Sequence, residues 1–256
     1  MQKYSGLNYT MLCDFYELTM GNGYFQSGLQ DRICYFDMFF RKCPDNGGFA
    51  IAAGLEQIID YIQNLHFDSQ DLAYFRRAGI CFPQEFLDVS ASFSLHRRHL
   101  GRARGNADFP AASPFITVRA PAIEAQLIET FLLLAVNHQS LIATKANRVV
   151  RAADGRTVLE FGSRRAQGSD AAILGARAAY IGGCARHGLH ASPTSSTASR
   201  AGGTMAHAWV QMFDSELEAF QTYCRLYPTN ATLLVDTYDT LHSGVPDAIR
   251  AFNDAS

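Results

Sequence analysis

The sequence lacks a long hydrophobic run, closely paired cysteines and an excess of charge of either sign. Its most apolar stretch, residues 131–136 of a 256-residue chain, is far too short to cross a bilayer. The formal net charge of −2 creates no field that would attract nucleic acid or an anionic membrane, so any bound anion must be held by a local cluster of side chains. The six cysteines show no Cys-x-x-Cys spacing, which argues against a zinc site and a disulfide framework.

The rest of the composition is that of a soluble globular protein. Hydrophobic residues make up 48% of the chain and charged residues 18%, which is enough for one large core or two smaller ones. Residues 1–6 lack the charged and apolar regions of a secretory signal. We therefore expect a cytoplasmic protein whose cysteines are reduced.

The first part of the chain alternates between helical and strand patterns. An aromatic, alternating segment at 33–40 predicts a strand, and apolar spacing predicts helices at 12–25, 55–65, 71–78 and 83–89. This alternation is consistent with a small α/β sandwich, which we assign to residues 1–120.

The second part, residues 121–256, predicts parallel strands joined by helices. Strands are expected at 115–118, just before this part begins, and at 157–161 and 232–236. Helices are expected from Pro121 to about Arg151, from a Ser169-Asp170 cap to Gly182-Gly183, and after a cap at Asp214. Strands that alternate with helices in this order imply a barrel or a doubly wound sheet.

Two segments, 90–112 and 184–202, do not fit this organisation. Both lack clear periodicity and have few large apolar residues, and loops of this length are uncommon inside a compact domain. They are either excursions from the fold or sequence that does not belong to it. The pairs His96-x-x-His99 and His187-x-x-His190 fall in these segments, so we predict no metal site there in spite of their ligand-like spacing.

Five polar residues follow the predicted strands of the second part. Arg164 and Arg165 follow the strand that ends at 161, His207 follows a Gly-Gly-Thr break, and Asp236 ends its strand, with Asp239 three residues later. In α/β barrels the loops after the strands build the active site. Paired arginines bind carboxylate or phosphate, two aspartates suit magnesium and its phosphates, and an imidazole can act as nucleophile or proton carrier. Together these residues predict chemistry on a polyanion with Mg2+.

Each of these residues also has an ordinary structural interpretation. The arginine pair could be solvated side chains, and His207 could be a hydrogen-bonded structural histidine. The Asp236-x-x-Asp239 pair could cap the helix that follows its strand.

At these residues the chain resembles the nicotinate phosphoribosyltransferase family. The stretches that match, in family order, are 12–25 (LCDFYELTMGNGYF), 36–54 (FDMFFRKCPDNGGFAIAAG), 123–153, 160–183 (EFGSRRAQGSDAAILGARAAYIGG), 203–209 (GTMAHAW) and 232–240 (TLLVDTYDT). They cover well over half of the chain, and the last three are specific to the family.

The resemblance implies an α/β fold of the type II phosphoribosyltransferases, with an N-terminal sandwich domain beside an irregular α/β barrel. It implies a homodimer whose active site lies near the subunit boundary. The implied reaction joins nicotinate to 5-phosphoribosyl 1-diphosphate, giving nicotinate mononucleotide and diphosphate while ATP is hydrolysed with Mg2+. This is a step of NAD biosynthesis.

The resemblance also assigns roles to individual residues. It implies that His207 is phosphorylated by ATP and that Thr204, on the same turn, contacts nicotinate. Tyr16 matches the tyrosine that stacks on the pyridine ring from the neighbouring subunit. Arg164 and Arg165 match the arginines that hold the nicotinate carboxylate and the phosphoribosyl phosphates.

Asp236 and Asp239 match the positions that approach the ribose diphosphate and its magnesium.

The chain departs from the family pattern in segments 90–112 and 184–202, where its length is kept but the match is lost. A local shift of reading frame would produce such segments. The family's later barrel strands are also missing after Ser256, so we expect an incomplete barrel.

Two alternatives to an active nicotinate phosphoribosyltransferase follow from these departures. The chain could be a catalytically inactive fragment of such an enzyme, or it could be nicotinamide phosphoribosyltransferase, which shares the fold and the histidine. The EFGSRRAQ and GTMAHAW stretches favour the acid over the amide.

Overall fold

The computed structural model of the chain describes residues 8–77, 82–91, 100–101, 114–187 and 202–255. The chain divides into two compact units, Met1–Ser199 and Arg200–Ser256. This division does not coincide with the predicted domain boundary after residue 120, which stays a prediction.

Helices and short strands alternate along the first unit. In chain order the elements are α1 (Phe15–Gln26), β1 (Ile33–Met38), α2 (Leu55–Asn64), α3 (Ser69–Arg77), α4 (Gln84–Ala91), β2 (Leu100–Gly101), β3 (Ile116–Pro121), α5 (Ala122–Leu127), α6 (Glu129–Ala152), β4 (Leu159–Glu160), α7 (Ser169–Ile181) and β5 (Arg186–His187). The second unit contains α8 (His207–Val210), α9 (Glu216–Leu226) and α10 (Val245–Ala255).

Strands β1, β3 and β2 form an antiparallel sheet in that order. The register pairs Ile33 with Pro121 and Met38 with Ile116. Strand β3 buries Ile116, Val118 and Ala120 on one face, as the period of two in a half-buried strand requires. The strands predicted at 33–40 and 115–118 are therefore confirmed.

The helix predicted from Pro121 to about Arg151 is present, but it breaks at Ile128 between α5 and α6. By length and composition alone the combined segment Ala122–Ala152 could cross a membrane, contrary to the expectation from its short apolar run. Half of its apolar window is buried inside the fold, as in the core helix of a soluble protein.

Helix α6 also carries buried polar side chains that hold the extended segment 50–54. The Ser140 hydroxyl accepts from the backbone N–H of Ala53 at 3.0 Å, and the Thr144 hydroxyl accepts from that of Ile51 at 2.8 Å. These bonds satisfy backbone groups that have no strand partner. At the end of the segment Gly54 has φ +108°, and a Cβ there would lie 2.6 Å from the Ala135 carbonyl oxygen of α6.

Strands β4 and β5 pair in parallel, with α7 as the connection between them. Parallel pairing is what the alternation of strand and helix predicts. Strands β2 and β5 lie inside segments 90–112 and 184–202, so part of each segment belongs to the fold. Most of both segments lies outside the described residues, as do the side chains of the four histidines considered as metal ligands.

The second unit is built on a small apolar core between α8, α9 and α10. Its fully buried side chains are Val210, Ala219, Phe220, Cys224 and Ala251. The helix predicted after residue 214 is confirmed, but the prediction that Asp214 caps it is wrong. Ser215 is the N-cap, and its hydroxyl accepts from the Glu218 N–H at 3.2 Å.

The strand predicted at 232–236 is wrong within the described residues. The segment is extended but pairs with no strand there, and the Leu234 N–H is directed at the Met205 sulfur at 3.3 Å. Leu233, Leu234 and Val235 pack instead on the helical core, because burying apolar side chains does not require a sheet. Gly244 contacts the Val235 carbonyl so closely that a Cβ would overlap it.

We predict that Gly54→Ala lowers the free energy of unfolding by at least ~2 kcal/mol, because the new methyl group meets the α6 backbone and the positive φ strains any residue with a Cβ. Urea denaturation followed by far-UV circular dichroism measures the change. Gly48→Ala is the matched control, since a Cβ there meets no atom within 4 Å. Equal stability of the two variants would contradict the close approach of residue 54 to α6.

Candidate active site

His207 begins the short helix α8 after the extended residues 202–206. The buried side chains of Met205 and Val210 anchor the chain on either side of it. The Trp209 indole N–H donates to the Ala219 carbonyl at 3.2 Å and ties α8 to α9. The imidazole itself is directed to solvent, with 54% of the side chain exposed. The core thus fixes the backbone while the ring stays accessible.

Two side chains of the segment after Val235 flank this imidazole. The Nδ1 atom lies 3.3 Å from the Thr237 hydroxyl, and the Nε2 atom lies 4.0 Å from an Asp236 carboxylate oxygen. When Nδ1 donates its hydrogen to Thr237, Nε2 keeps a lone pair and can act as a nucleophile. Sequence reasoning missed Thr237, although it stands between the two aspartates of the matching stretch.

Asp239 has the capping role that was the alternative interpretation of the aspartate pair. Its carboxylate accepts from the N–H groups of Leu241 and His242, at 3.0 and 2.9 Å, at the start of the π-helical turn Thr240–Gly244. The His242 ring lies 3.0 Å from the same carboxylate. These hydrogen bonds, above all those from His242, lower the pKa of Asp239. Its predicted approach to magnesium stays a prediction.

For magnesium, the residues around His207 provide one accessible carboxylate and not a complete set of protein ligands. The Asp236 side chain is 59% exposed and makes no hydrogen bond to the described residues. The Asp239 carboxylate, in contrast, already accepts hydrogen bonds from the backbone N–H groups of the turn that it caps. Within the part of the chain that the structure describes, no group of three or more His, Cys, Asp or Glu side chains could hold a metal ion. Such a site fits Mg2+ that arrives on substrate phosphates, which commonly needs only one or two carboxylates.

Thr204 lies on the exposed strand-like segment that leads to His207. Its hydroxyl donates to the Met205 carbonyl at 2.7 Å. The hydroxyl oxygen keeps its capacity to accept, so it can still meet a ligand donor. In the second unit the structure thus groups His207 with Asp236 and Thr237, and places Thr204 three residues before the histidine.

In the first unit Arg164 and Arg165 lie on the 3-10 turn Ser163–Arg165, directly after β4 and before α7. Both side chains are exposed, and neither guanidinium has an acceptor among the described residues. A loop that follows a parallel strand is where α/β folds place ligand-binding groups. The two cations are therefore available to an anion from solution.

Tyr16 lies on α1 with 42% of the residue exposed. Burial of part of the ring, followed by the nearby Glu129 carboxylate, raises the pKa of Tyr16 to about 12. The phenol is consequently neutral at physiological pH, and one edge of the ring is open to a partner.

Glu17, the next residue, is a buried carboxylic acid with 2% exposure. One oxygen accepts from the Thr130 N–H at 3.0 Å and from the Thr130 hydroxyl at 2.7 Å, while the other has no hydrogen-bond partner. Burial raises the pKa of Glu17 to about 7, and the two bonds from Thr130 only partly oppose this effect.

The sequence of the first unit matches a known domain family. Residues 11–137 match the model of the nicotinate phosphoribosyltransferase N-terminal domain. Residues 11–137 belong to this family. The matched range holds Tyr16, Glu17 and the first turns of α6, so the resemblance drawn from the motif around Tyr16 is confirmed.

Curated relatives extend the likeness over nearly the whole chain. Nicotinate phosphoribosyltransferase pncB2 of Mycobacterium tuberculosis is 42% identical over 249 residues, which are 94% of this chain and 50% of that protein. Nicotinate phosphoribosyltransferase of Bacillus subtilis is 40% identical over 245 residues, which are 93% of this chain and 48% of that protein. The chain spans about half the length of the curated relatives it matches.

Solved structures agree with the family. The crystal structure of human nicotinic acid phosphoribosyltransferase has a TM-score of 0.79 and 26% identity, covering 95% of this chain and 58% of that one. A nicotinate-nucleotide pyrophosphorylase from Pyrococcus furiosus has a TM-score of 0.71 at 19% identity, covering 99% and 57%, and shows a common fold. The predicted α/β fold class is confirmed.

We predict that the free energy of unfolding falls as pH rises from about 5 to about 8, by up to about 3 kcal/mol. The pKa of Glu17 is higher in the folded than in the unfolded chain, so the folded state gains stability from the bound proton and loses it as the pH passes about 7. Denaturation at a series of pH values measures this dependence.

Glu17→Gln should remove most of this dependence, because the amide stays neutral throughout. Glu85→Gln, at an exposed position of α4, is the control and should keep it. A Glu17→Gln variant with the pH dependence of the unaltered chain would contradict the assignment.

Proposed function

We propose that this chain is the site-bearing N-terminal part of a nicotinate phosphoribosyltransferase. The reaction joins nicotinate to 5-phosphoribosyl 1-diphosphate and releases nicotinate mononucleotide and diphosphate, coupled to ATP hydrolysis, in NAD biosynthesis. The observation that carries the proposal is the exposed His207 imidazole, held at Nδ1 by Thr237 beside the Asp236 carboxylate, in a chain 42% identical to a protein of that name.

The histidine is the acceptor of the γ-phosphoryl group of ATP. The Nε2 lone pair forms the bond to phosphorus as the bond to the bridging oxygen breaks, and ADP leaves with that electron pair. The cation formed on the ring stays hydrogen-bonded through Nδ1 to Thr237, beside Asp236. Water later hydrolyses the phosphorus–nitrogen bond, releasing phosphate and returning the imidazole. Magnesium, when bound, neutralises phosphate charge.

The other predicted residues bind the two condensing substrates. Arg164 and Arg165, which have no acceptor among the residues that the structure describes, are suited to the nicotinate carboxylate and the phosphoribosyl phosphates. Thr204 meets nicotinate from the turn before His207. Tyr16, which is 42% exposed, is available to a pyridine ring bound in a neighbouring subunit, which makes a homodimer the functional form. We expect the protein to act in the cytoplasm, where thiols such as those of Cys13, Cys34 and Cys184, which form no disulfide in this structure, stay reduced.

Two alternatives make different predictions. A nicotinamide phosphoribosyltransferase would bind a neutral amide, for which two unpaired guanidiniums offer less than for a carboxylate. An inactive fragment, unstable by itself or acting only when paired with an intact subunit, would form no product from either base. Assaying residues 1–256 with nicotinate and with nicotinamide, and measuring diphosphate release, separates all three.

We predict that incubation with γ-32P-labelled ATP and Mg2+ transfers an acid-labile, base-stable label to the chain and that His207→Ala abolishes it. Phosphohistidine has this stability because the phosphorus–nitrogen bond breaks readily once protonated. His242→Ala is the matched control, since this histidine is in the same unit and 83% of its side chain is exposed. Equal labelling of the two variants, or none of the unaltered chain, would contradict the role of His207.

We predict that Arg164→Gln and Arg165→Gln, made separately, each weaken binding of a substrate anion by about tenfold or more, because each removes a charge-assisted hydrogen bond. Substrate KM values or isothermal titration with nicotinate and with the ribosyl donor measure the effect. Arg156→Gln is the control, because that guanidinium donates only within its own turn to the Ala153 carbonyl. Unchanged binding in both loop variants would remove this turn from the site.

A further inference from the structure

We infer that Thr130 and Glu17 are positioning residues that fix helix α1 on helix α6 and thereby set the orientation of the Tyr16 ring. The inference rests on the proposed role of Tyr16 as a ligand contact. Thr130 and Glu17 would contact no substrate themselves and would act only by positioning Tyr16.

Thr130 joins the N-termini of two helices. As the second residue of α6, it has a backbone N–H with no partner inside its own helix, and that group donates to Glu17 of α1 at 3.0 Å. Its hydroxyl donates to the same carboxylate oxygen at 2.7 Å and accepts from the Asp14 N–H at 3.3 Å. Asp14 is the N-cap of α1 and makes no capping bond with its own side chain. Each helix therefore satisfies a donor at the start of the other.

The arrangement restricts how α1 can move. Glu17 is almost completely buried, so displacing its carboxylate would leave charge or polar atoms unpaired in the interior. The carboxylate also lies at the N-terminal end of α6, where the helix dipole favours negative charge. Leu18 and Gly21 of α1 are buried together with Glu17, so the face that carries this carboxylate is the face that packs on the rest of the unit. Moving α1 would therefore break these hydrogen bonds and expose that face.

Tyr16 also lies beside the first turn of α6. The carboxylate of Glu129, the residue before Thr130, is close enough to the Tyr16 phenol to raise its pKa. The other end of that interaction is fixed as well, because the Gln126 amide donates to Glu129 at 2.8 Å and Gln126 is buried. Thr130 and Glu17 thus fix the turn of α1 that carries Tyr16, and Glu129 lies near its phenol.

The test compares Thr130→Val, Thr130→Ser and Thr144→Val in the full 256-residue chain. Valine removes the hydroxyl at nearly the same volume, and serine keeps it. Thr144→Val removes an equally long-range hydroxyl contact of the same helix, to the Ile51 N–H, and so controls for lost stability alone. We expect Thr130→Val to weaken nicotinate binding about tenfold by isothermal titration, with Thr130→Ser and Thr144→Val close to the unaltered chain.

A second readout needs no ligand. With 3-fluorotyrosine incorporated and the Tyr16 signal assigned by its loss in Tyr16→Phe, the 19F resonance of Tyr16 should shift or broaden in Thr130→Val and in Glu17→Ala. It should stay in place in Thr144→Val and Thr130→Ser.

The two readouts separate the inference from the proposed function. An unaltered chain that binds no nicotinate would overturn the function, while the 19F comparison would still decide whether Thr130 orients Tyr16. A Tyr16 resonance that is the same in Thr130→Val as in the unaltered chain would overturn the inference, and so would normal nicotinate binding by that variant. If Thr130→Val does not fold, Glu17→Gln replaces it, because the amide keeps the acceptor but weakens the bond to Thr130. Glu17→Gln should then shift the 19F resonance of Tyr16, and an unchanged resonance in this variant would overturn the inference.

Discussion

The first unit depends on hydrogen bonds made by buried and partly buried polar side chains of one helix. Helix α6 binds α1 through Thr130, the extended segment 50–54 through Ser140 and Thr144, and α2 through Gln139, whose amide donates to Gln57 at 3.0 Å. The guanidinium of Arg177 on α7 completes this set by donating to Gln139 at 3.2 Å and to Glu56 at 2.6 Å. Because unpaired polar groups are costly in an interior, these contacts specify one arrangement of helices where apolar packing alone would allow several.

The sequence predicted most elements whose formation depends on local pattern. Helix α2 and strand β3 follow directly from apolar spacing, because one face of each is buried. Strand β1 follows from its run of aromatic and branched residues, although none of its side chains is buried. The break at Ile128 could not be predicted in this way. It occurs where α5 ends and a new helix begins, and the Thr130 N–H at the start of that helix donates to Glu17, more than a hundred residues away in the chain. Long-range capping of this kind leaves no local signal.

The same distinction applies to the site. Motif and strand order identified His207 and the two arginines, but could not show which groups the imidazole contacts. Thr237 was missed because a threonine between two aspartates has no chemical signature of its own. The strand predicted at 232–236 failed because its apolar residues are equally satisfied by a helical core, and pairing is a property of neighbours in space.

The close approach of Gly244 to the Val235 carbonyl affects the segment that contacts the His207 imidazole. The Val235 carbonyl lies against that glycine, and two residues later Thr237 contacts the ring of His207. The peptide bearing Thr237 is therefore immobilised by the core when the unit folds. The conformational entropy of ordering it is lost during folding, so it is not subtracted from the affinity for the phosphate donor that we propose for His207.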